Sequence, residues 1–221
     1  MEPPRGERDL QHPRPRFLIP ATPVAGTIAC MDAREKWDQR YRSAESTEPT
    51  PPEVLVDYGH LLPERGIALD LACGRGGAAL YLARRGLETQ AWDISPVVLE
   101  QLDARARALE LPLGTLARDV EAHPPEPEGF DVIVVSHFLH RPGAPALSAA
   151  LRPGGLLFYQ TFSRERVSER GPSNPAYRLA PNELLTLFPD LLLRAYREDG
   201  TLGNIGEGLR DLALLVAQKP G

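Results

Sequence analysis

Three acids and a pair of glycines carry the first chemical signal in this chain. Within LDLACGRGG, residues 69–77, Gly74 and Gly76, with Ala79 just beyond, fit the G-x-G-x-x-G/A turn that seats a dinucleotide pyrophosphate. Glycine suits such a turn because a side chain would hold a ligand away and because the tight backbone angles are resisted by other residues. Asp70, just upstream, points to a different guest. An ionised carboxylate at the inner end of a buried strand is costly unless it meets a cation or several N–H donors. It would repel a pyrophosphate and welcome an ammonium group. Asp93 follows 23 residues later, where a carboxylate can accept from both ribose hydroxyls; nicotinamide and adenosyl cofactors share that ribose, so Asp93 does not choose between them. Asp119 is placed to accept from an adenine amino group beside the backbone of Val120. Each acid alone also reads as a helix cap or a solvated loop residue, but acids at three successive strand ends favour a ligand site.

A second group lies further along. His137 and His140, in SHFLHR, follow a predicted strand and are candidate proton acceptors, since imidazole is the usual base near neutral pH. Their other reading is as satisfied structural histidines. The spacing would also suit two metal ligands on one helix face, yet no further His/Cys cluster completes such a site, and no metal is expected. Arg141 either faces an anionic substrate or caps its segment. The polar stretch SRERVSERGPSNPAYRL, residues 163–179, has the length of a lid or substrate wall. Arg164, Arg166, Arg170 and Arg178 are candidates there for binding an anion, and Tyr177 for closing the pocket; a solvated charged loop is the alternative. Near the start, Trp37, Arg40 and Tyr41 either fold over a cofactor or pack a helix on the core. Cys73 reads as a small loop residue, not a nucleophile.

The elements that must position these groups follow from periodicity and caps. Residues 1–30 are proline-rich and aperiodic, a flexible extension ahead of the domain at 31–221. Met31 opens a helix at once, in MDAREKWDQRYRS, and is a candidate natural start. Thr50 is a candidate N-cap with Glu53 at the capping-box position, ahead of a helix through VLVDYGHLL. Strands then alternate with helices: GIALDLA, helix GGAALYLARRG, ETQAWDI, and a helix capped by Ser95 with Pro96 at its first position. A short strand near GTLARDV, a proline-rich loop, FDVIVVS, a helix around APALSAAL and GLLFYQTF come next. This alternation predicts right-handed crossovers and a doubly wound α/β fold with a mostly parallel, seven-stranded sheet. LLLRAYRED and LRDLALLVAQK, joined by a glycine-rich turn, predict a C-terminal antiparallel hairpin.

Composition narrows the partners. Across 221 residues, 25 Lys and Arg against 30 Asp and Glu give a net charge of −5, which argues against a nucleic-acid surface. No apolar run exceeds strand length, so no membrane span is expected, and the charged, proline-rich start lacks a signal-peptide core. Two cysteines, Cys30 and Cys73, without metal-type spacing suit a reducing compartment, and the expected address is the cytoplasm.

ALDLACGRGGAALYLARRG, AWDIS, ARDVE, FDVIVVSHFLHR and LRPGGLLFYQTF resemble, in order and spacing, the successive motifs of class I S-adenosylmethionine-dependent methyltransferases. KWDQRY and RGPSNPAYRLAPNELLTLF are similar to the branch containing tellurite-resistance and thiopurine-type enzymes, and the resemblance runs over residues 35–219. It implies a Rossmann-like methyltransferase fold with S-adenosyl-L-methionine as cofactor. Asp70 and the backbone of Ala72, Cys73, Gly74 and Gly76 would hold the methionine part, Asp93 with Ile94 the ribose, Asp119 and Val120 the adenine, with Ser136 after the fourth strand and Trp37 and Arg40 above. Tyr41, Arg141, Arg170 and Tyr177 would fall to the substrate. Ala72 departs from the family, which usually has a glycine there; alanine resists left-handed angles. The implied reaction moves a methyl group to a small-molecule acceptor such as a thiol or a chalcogen oxyanion. A protein base is needed only where the acceptor arrives protonated. The alternatives are an NAD(P)-dependent oxidoreductase and a non-catalytic module that binds adenosylmethionine.

Overall fold

A computed structural model describes residues 32–43 and 48–221; the proline-rich stretch 1–30 lies outside them. Five strands are parallel: β1 (Ile67–Leu71), β2 (Glu88–Asp93), β3 (Leu113–Ala117), β4 (Phe130–Ser136) and β5 (Leu151–Phe162). The last two, β6 (Leu192–Arg197) and β7 (Leu212–Gln218), form the C-terminal hairpin, and β7 inserts antiparallel between β5 and β6. The sheet order is β3-β2-β1-β4-β5-β7-β6, so the winding reverses between β1 and β4. At such a reversal the crossovers leave on opposite faces, which opens a crevice beyond the carboxyl ends of the strands. The described helices are α1 (Ala33–Ser43), α2 (Glu53–Tyr58), α3 (Gly77–Arg84), α4 (Pro96–Ala108), α5 (Ala144–Ala150) and α6 (Glu183–Leu187).

Alternate residues of the central strands bury opposite faces, as the two-residue period of a strand requires. Leu69, Leu71, Ile133, Val135, Leu157 and Leu215 pack with Leu147 of α5, Leu184 of α6 and Phe188. Ala68, Val132, Val134, Phe158 and Val216 pack with Val54 and Leu55 of α2 and Ala78 and Leu82 of α3. Asp70 shares the second face with Ala68, which turns its carboxylate toward α3.

Three local expectations change. Thr50 does not cap α2: Pro51 and Pro52 follow it, Pro52 is extended (ψ 154) and is itself the N-cap, and no side chain caps this helix. Helix α2 stops at Tyr58 and continues only as a 3-10 turn over Gly59–Leu61, two residues before Pro63, whose ring disfavours helical angles in the residue ahead of it. Ser95 does occupy the N-cap of α4, ahead of Pro96, yet its hydroxyl makes no capping bond; it is spent elsewhere.

Candidate cofactor and acceptor site

The loop between β1 and α3 is a run of left-handed backbone: φ is +54° at Ala72, +52° at Gly74 and +78° at Gly76. Ala72 therefore adopts the angles its side chain resists. The loop is held by bonds to its neighbours. The Cys73 N–H donates to the Trp92 carbonyl, and the Gly76 N–H to the Cys73 carbonyl, both at 2.9 Å. A Cβ at Gly76 would strike Leu102 of α4, and one at Gly77 the Thr50 carbonyl, so these glycines let α4 and the approach to α2 close on the loop.

Two acids are built into this turn. Asp70 is 1% exposed; its Oδ2 accepts the Ala79 N–H at 2.9 Å, while Oδ1, equally buried, has no hydrogen-bond partner among the described residues. Burial pushes its carboxyl well above the usual carboxylate range, and the charge of Asp93 adds to this against the pull of the Ala79 N–H. Asp93 ties β2 to the loop. Its Oδ2 accepts the Gly74 N–H at 2.9 Å and its Oδ1 the Ser95 N–H at 3.0 Å, with Ile94 contributing a further backbone donor. Burial raises its pKa as well, and Asp38 contributes. Asp38, from α1, is buried and accepts the Ser95 hydroxyl. The Cys73 thiol among these acids is raised by burial and by Asp70 and Asp93, which disarms it as a nucleophile.

Helix α1 lies against the same loop. The Tyr41 hydroxyl stands 3.1 Å from where a Cβ at Gly74 would be, and its pKa is raised by burial and by the charges of Asp93 and Cys73. Trp37 stacks on Tyr41 with ring centroids 5.8 Å apart, and the Arg40 guanidinium sits 5.3 Å from the Trp37 ring centre. Tyr41 thus faces the glycine loop, with Trp37 and Arg40 stacked behind it along α1. Asp119 uses Oδ1 to accept the Glu121 and Ala122 N–H groups, so it orders its own turn; Val120 is partly buried against the core.

The carboxyl end of β4 sets out the other half. Leu71 pairs with Val135, which brings the half-buried Ser136 to the level of Ala72. His137 follows in left-handed backbone (φ +57°), its N–H donating to the Gln160 carbonyl at 2.9 Å and its ring 5.0 Å from that of Phe162. The ring is accessible but set among protein; desolvation lowers its pKa, Glu53 opposes and Arg170 assists. His140 stands apart, with Nδ1 3.5 Å from Glu121 and its ring against Gly143. Arg141 pairs with both oxygens of Glu183 and donates to the Ala176 and Arg178 carbonyls, which commits it to folding the loop. Tyr177 is 58% exposed. Sequence reasoning missed Asp38, Glu53 and Gln160. Glu53 was read only as part of a cap, and the buried Gln160 in GLLFYQTF, a polar residue inside an apolar strand, was the available signal.

Residues 68–155 match the model of the methyltransferase domain family. Over that stretch the chain is similar to the methyltransferase domain family. Solved structures agree on the fold. A protein from a study of the conversion of a disulfide bond into a thioacetal group during echinomycin biosynthesis is 23% identical, with a TM-score of 0.65 over 85% of this chain and 92% of that one. TehB from Haemophilus influenzae is 19% identical, with a TM-score of 0.62 over 84% of this chain and 66% of its own. A SAM-dependent methyltransferase from Methanosarcina mazei is 18% identical, with a TM-score of 0.58 over 77% and 99%. No curated protein sequence matches this chain at a significant level. The cofactor of such domains is S-adenosylmethionine, and the site fits it. Asp38, Asp70 and Asp93 gather three carboxyl groups with one unpartnered oxygen, a setting whose ionisation a sulfonium and an ammonium would favour and a pyrophosphate would oppose. Among the described residues no cluster suits a metal, and no helix is long and apolar enough to cross a membrane.

Proposed function

We propose that the protein transfers a methyl group from S-adenosylmethionine to a small-molecule acceptor in the cytoplasm, without nucleic acid or membrane as partner. The observation that carries this reading is the fully buried Asp70 with its unpartnered Oδ1, placed under a left-handed glycine loop. When bound, the cofactor supplies the electrophilic methyl group on its sulfonium. Asp70 and the backbone from Ala72 to Gly76 hold the amino-acid end, Asp93 with Ile94 the ribose, and Asp119 with Val120 the adenine. Trp37, Arg40 and Tyr41 cover the loop and keep water from it. Methyl transfer is an in-line displacement, so alignment and exclusion of water are the main contributions asked of the chain. His137 stands at the edge where an acceptor would enter and is the candidate base; His140, turned toward Glu121, is a weaker candidate. Tyr177 is exposed and available to cover an acceptor, whereas Arg141 is left to the fold.

Calorimetry with S-adenosylhomocysteine and with NAD tests the cofactor, and labelled methyl donor with a panel of small thiols, chalcogen oxyanions, phenols and amines tests turnover. The expected result is S-adenosylhomocysteine binding and methylation of at least one class. Tight NAD binding without a response to S-adenosylhomocysteine would overturn the proposal, and binding without turnover across the panel would leave a non-catalytic binding module.

A further inference from the structure

The segments that follow β4 and β5 offer five arginines and two histidines, and the fold spends most of them. Arg141 is committed to Glu183 and two carbonyls. Arg178, buried, donates to the carbonyls of Ser163, Arg170 and Pro172. Arg164 donates to the Pro175 carbonyl and Arg166 pairs with Glu169. His140 pairs with Glu121. The Arg170 guanidinium and the His137 imidazole are the exceptions: neither donates a side-chain hydrogen bond to a described residue, although the charge of Arg170 also reaches the buried Asp211. Phe162 brings them to one place: its ring lies 5.0 Å from the His137 ring and directly against Gly171, the residue after Arg170, and the charge of Arg170 reaches the imidazole.

A histidine in left-handed backbone is strained, and such strain persists where the surroundings over-determine it, most often at functional sites. Here the surroundings are specific. The Gln160 carbonyl takes the His137 N–H, and the ring of Phe162, two residues along β5, packs at a tilt against the imidazole. The Gln160 side chain is buried; its Oε1 accepts the Val54 N–H at 2.8 Å and its Nε2 donates to a Glu53 oxygen. One residue therefore fixes both the backbone of His137 and the carboxylate whose charge opposes the ring's desolvation. The charged groups facing His137 are Glu53 from α2 and Arg170 from the segment after β5. An ionised soft nucleophile has no use for a base backed by a carboxylate; a protonated one does.

We propose that His137 and Arg170 form the acceptor subsite, for a small molecule bearing an anionic group beside a protic oxygen or nitrogen nucleophile, with Glu53 as the positioning residue of His137. This rests on the methyl-transfer reading above. The acceptor's electron pair forms the bond to the methyl carbon, the pair of the breaking carbon–sulfur bond stays on sulfur, and the acceptor's proton passes to a ring nitrogen of His137. Arg170 holds the acceptor's anion and Glu53 stabilises the imidazolium that results.

The test has two arms. In the full chain with S-adenosylhomocysteine, NMR titration of the histidines is expected to show the His137 transition at lower pH in Glu53→Gln and at higher pH in Arg170→Gln. In labelled-methyl assays on hydroxy-, amino- and mercaptobenzoates, the first two classes are the expected acceptors. His137→Asn, which tolerates left-handed angles, should lower kcat about 100-fold, and Arg170→Gln should raise KM about 10-fold with kcat little changed. Preference for the mercaptobenzoates with kcat intact in His137→Asn would overturn the subsite, as would a His137 titration indifferent to Glu53→Gln. If none of these acceptors is methylated, the titration decides alone. S-adenosylhomocysteine affinity, measured on the same samples, separates this failure from that of the broader reading: retained binding confines the error to the subsite, and absent binding in the unaltered chain removes the methyl-donor site itself.

Discussion

Asp70→Asn separates what a buried acid costs the fold from what it gives the site. In the ligand-free protein, once the pH exceeds its raised pKa, the ionised side chain has one oxygen on the Ala79 N–H and one bare, in a position 1% exposed. Asparagine keeps an oxygen for that N–H and leaves a neutral amide without an acceptor. A bare buried neutral group costs about 1–3 kcal/mol and a charged one more, so the variant should be more stable by about 1 kcal/mol in the absence of ligand. For a domain of this size that is a rise in Tm of roughly 2–4 °C, or a higher urea midpoint at unchanged m. In that same pH range S-adenosylhomocysteine, which keeps the cofactor's ammonium, should bind at least ~10-fold more weakly, the equivalent of one lost charge-assisted bond.

The pH dependence has a definite sign. Burial holds the Asp70 carboxyl above its unfolded value, so between the two values the folded chain binds more protons than the unfolded one. Stability then falls as pH rises from the usual carboxylate range through the raised value, and levels off above it. Asp93, raised by the same cause, contributes in the same direction, so Asp70→Asn should flatten this slope without abolishing it. A cationic ligand favours the ionised form, so near the raised value binding should release protons, seen as a dependence of calorimetric heat on the buffer's ionisation enthalpy. An Asp70→Asn protein that is less stable than the original at pH 8 and binds S-adenosylhomocysteine equally well would refute this reasoning.

Other positions give sharper structural tests. At Ala72, with φ +54°, a β-branched residue is strained while glycine is not, so Ala72→Val should lose ~2 kcal/mol and Ala72→Gly should stay within about 0.5 kcal/mol, its relief offset by unfolded-chain entropy; urea midpoints decide, and a harmless valine would mean the angle is wrong. Asp211, buried, accepts the Val167 and Ser168 N–H groups and the Ser168 hydroxyl, so Asp211→Ala should cost ~2–3 kcal/mol and expose residues 163–172 to proteolysis, whereas equal cleavage rates would deny it that role. Arg141→Met should destabilise by ~1–2 kcal/mol with acceptor KM unchanged, because its bonds are internal; a rise in KM at full stability would return it to the substrate. Ser95→Ala removes the hydroxyl bonded to Asp38 and should loosen α1, read as faster amide exchange at Trp37–Tyr41 and weaker S-adenosylhomocysteine binding by ~1 kcal/mol; protected amides would place the hold on α1 elsewhere.

The parts of this site that were legible in the sequence are those set by local rules. Strands alternating with helices dictate a parallel sheet, a terminal pair of strands without a helix between them dictates the hairpin, and an acid at a strand end is placed at the ligand edge by the sheet alone. What a side chain does once it arrives there is a tertiary matter. Arg141, Arg164, Arg166, Arg170 and Arg178 are equivalent as letters, and the distinction among them is only whether a carbonyl or carboxylate elsewhere in the fold has taken their donors. Glu53 had the spacing of a capping box, but the prolines before it leave no cap to complete, and its carboxylate reaches Gln160 across more than a hundred residues. The same logic explains why Asp70 was readable and Asp38 was not. An acid inside an apolar strand violates the local pattern and demands a reason, whereas an acid in a charged helix such as AREKWDQRYRS looks solvated until Ser95 is seen beneath it. A functional group therefore announces itself in sequence only when it breaks a local rule; where it obeys one, it is found by asking which polar atoms the fold has left with bonds still to make.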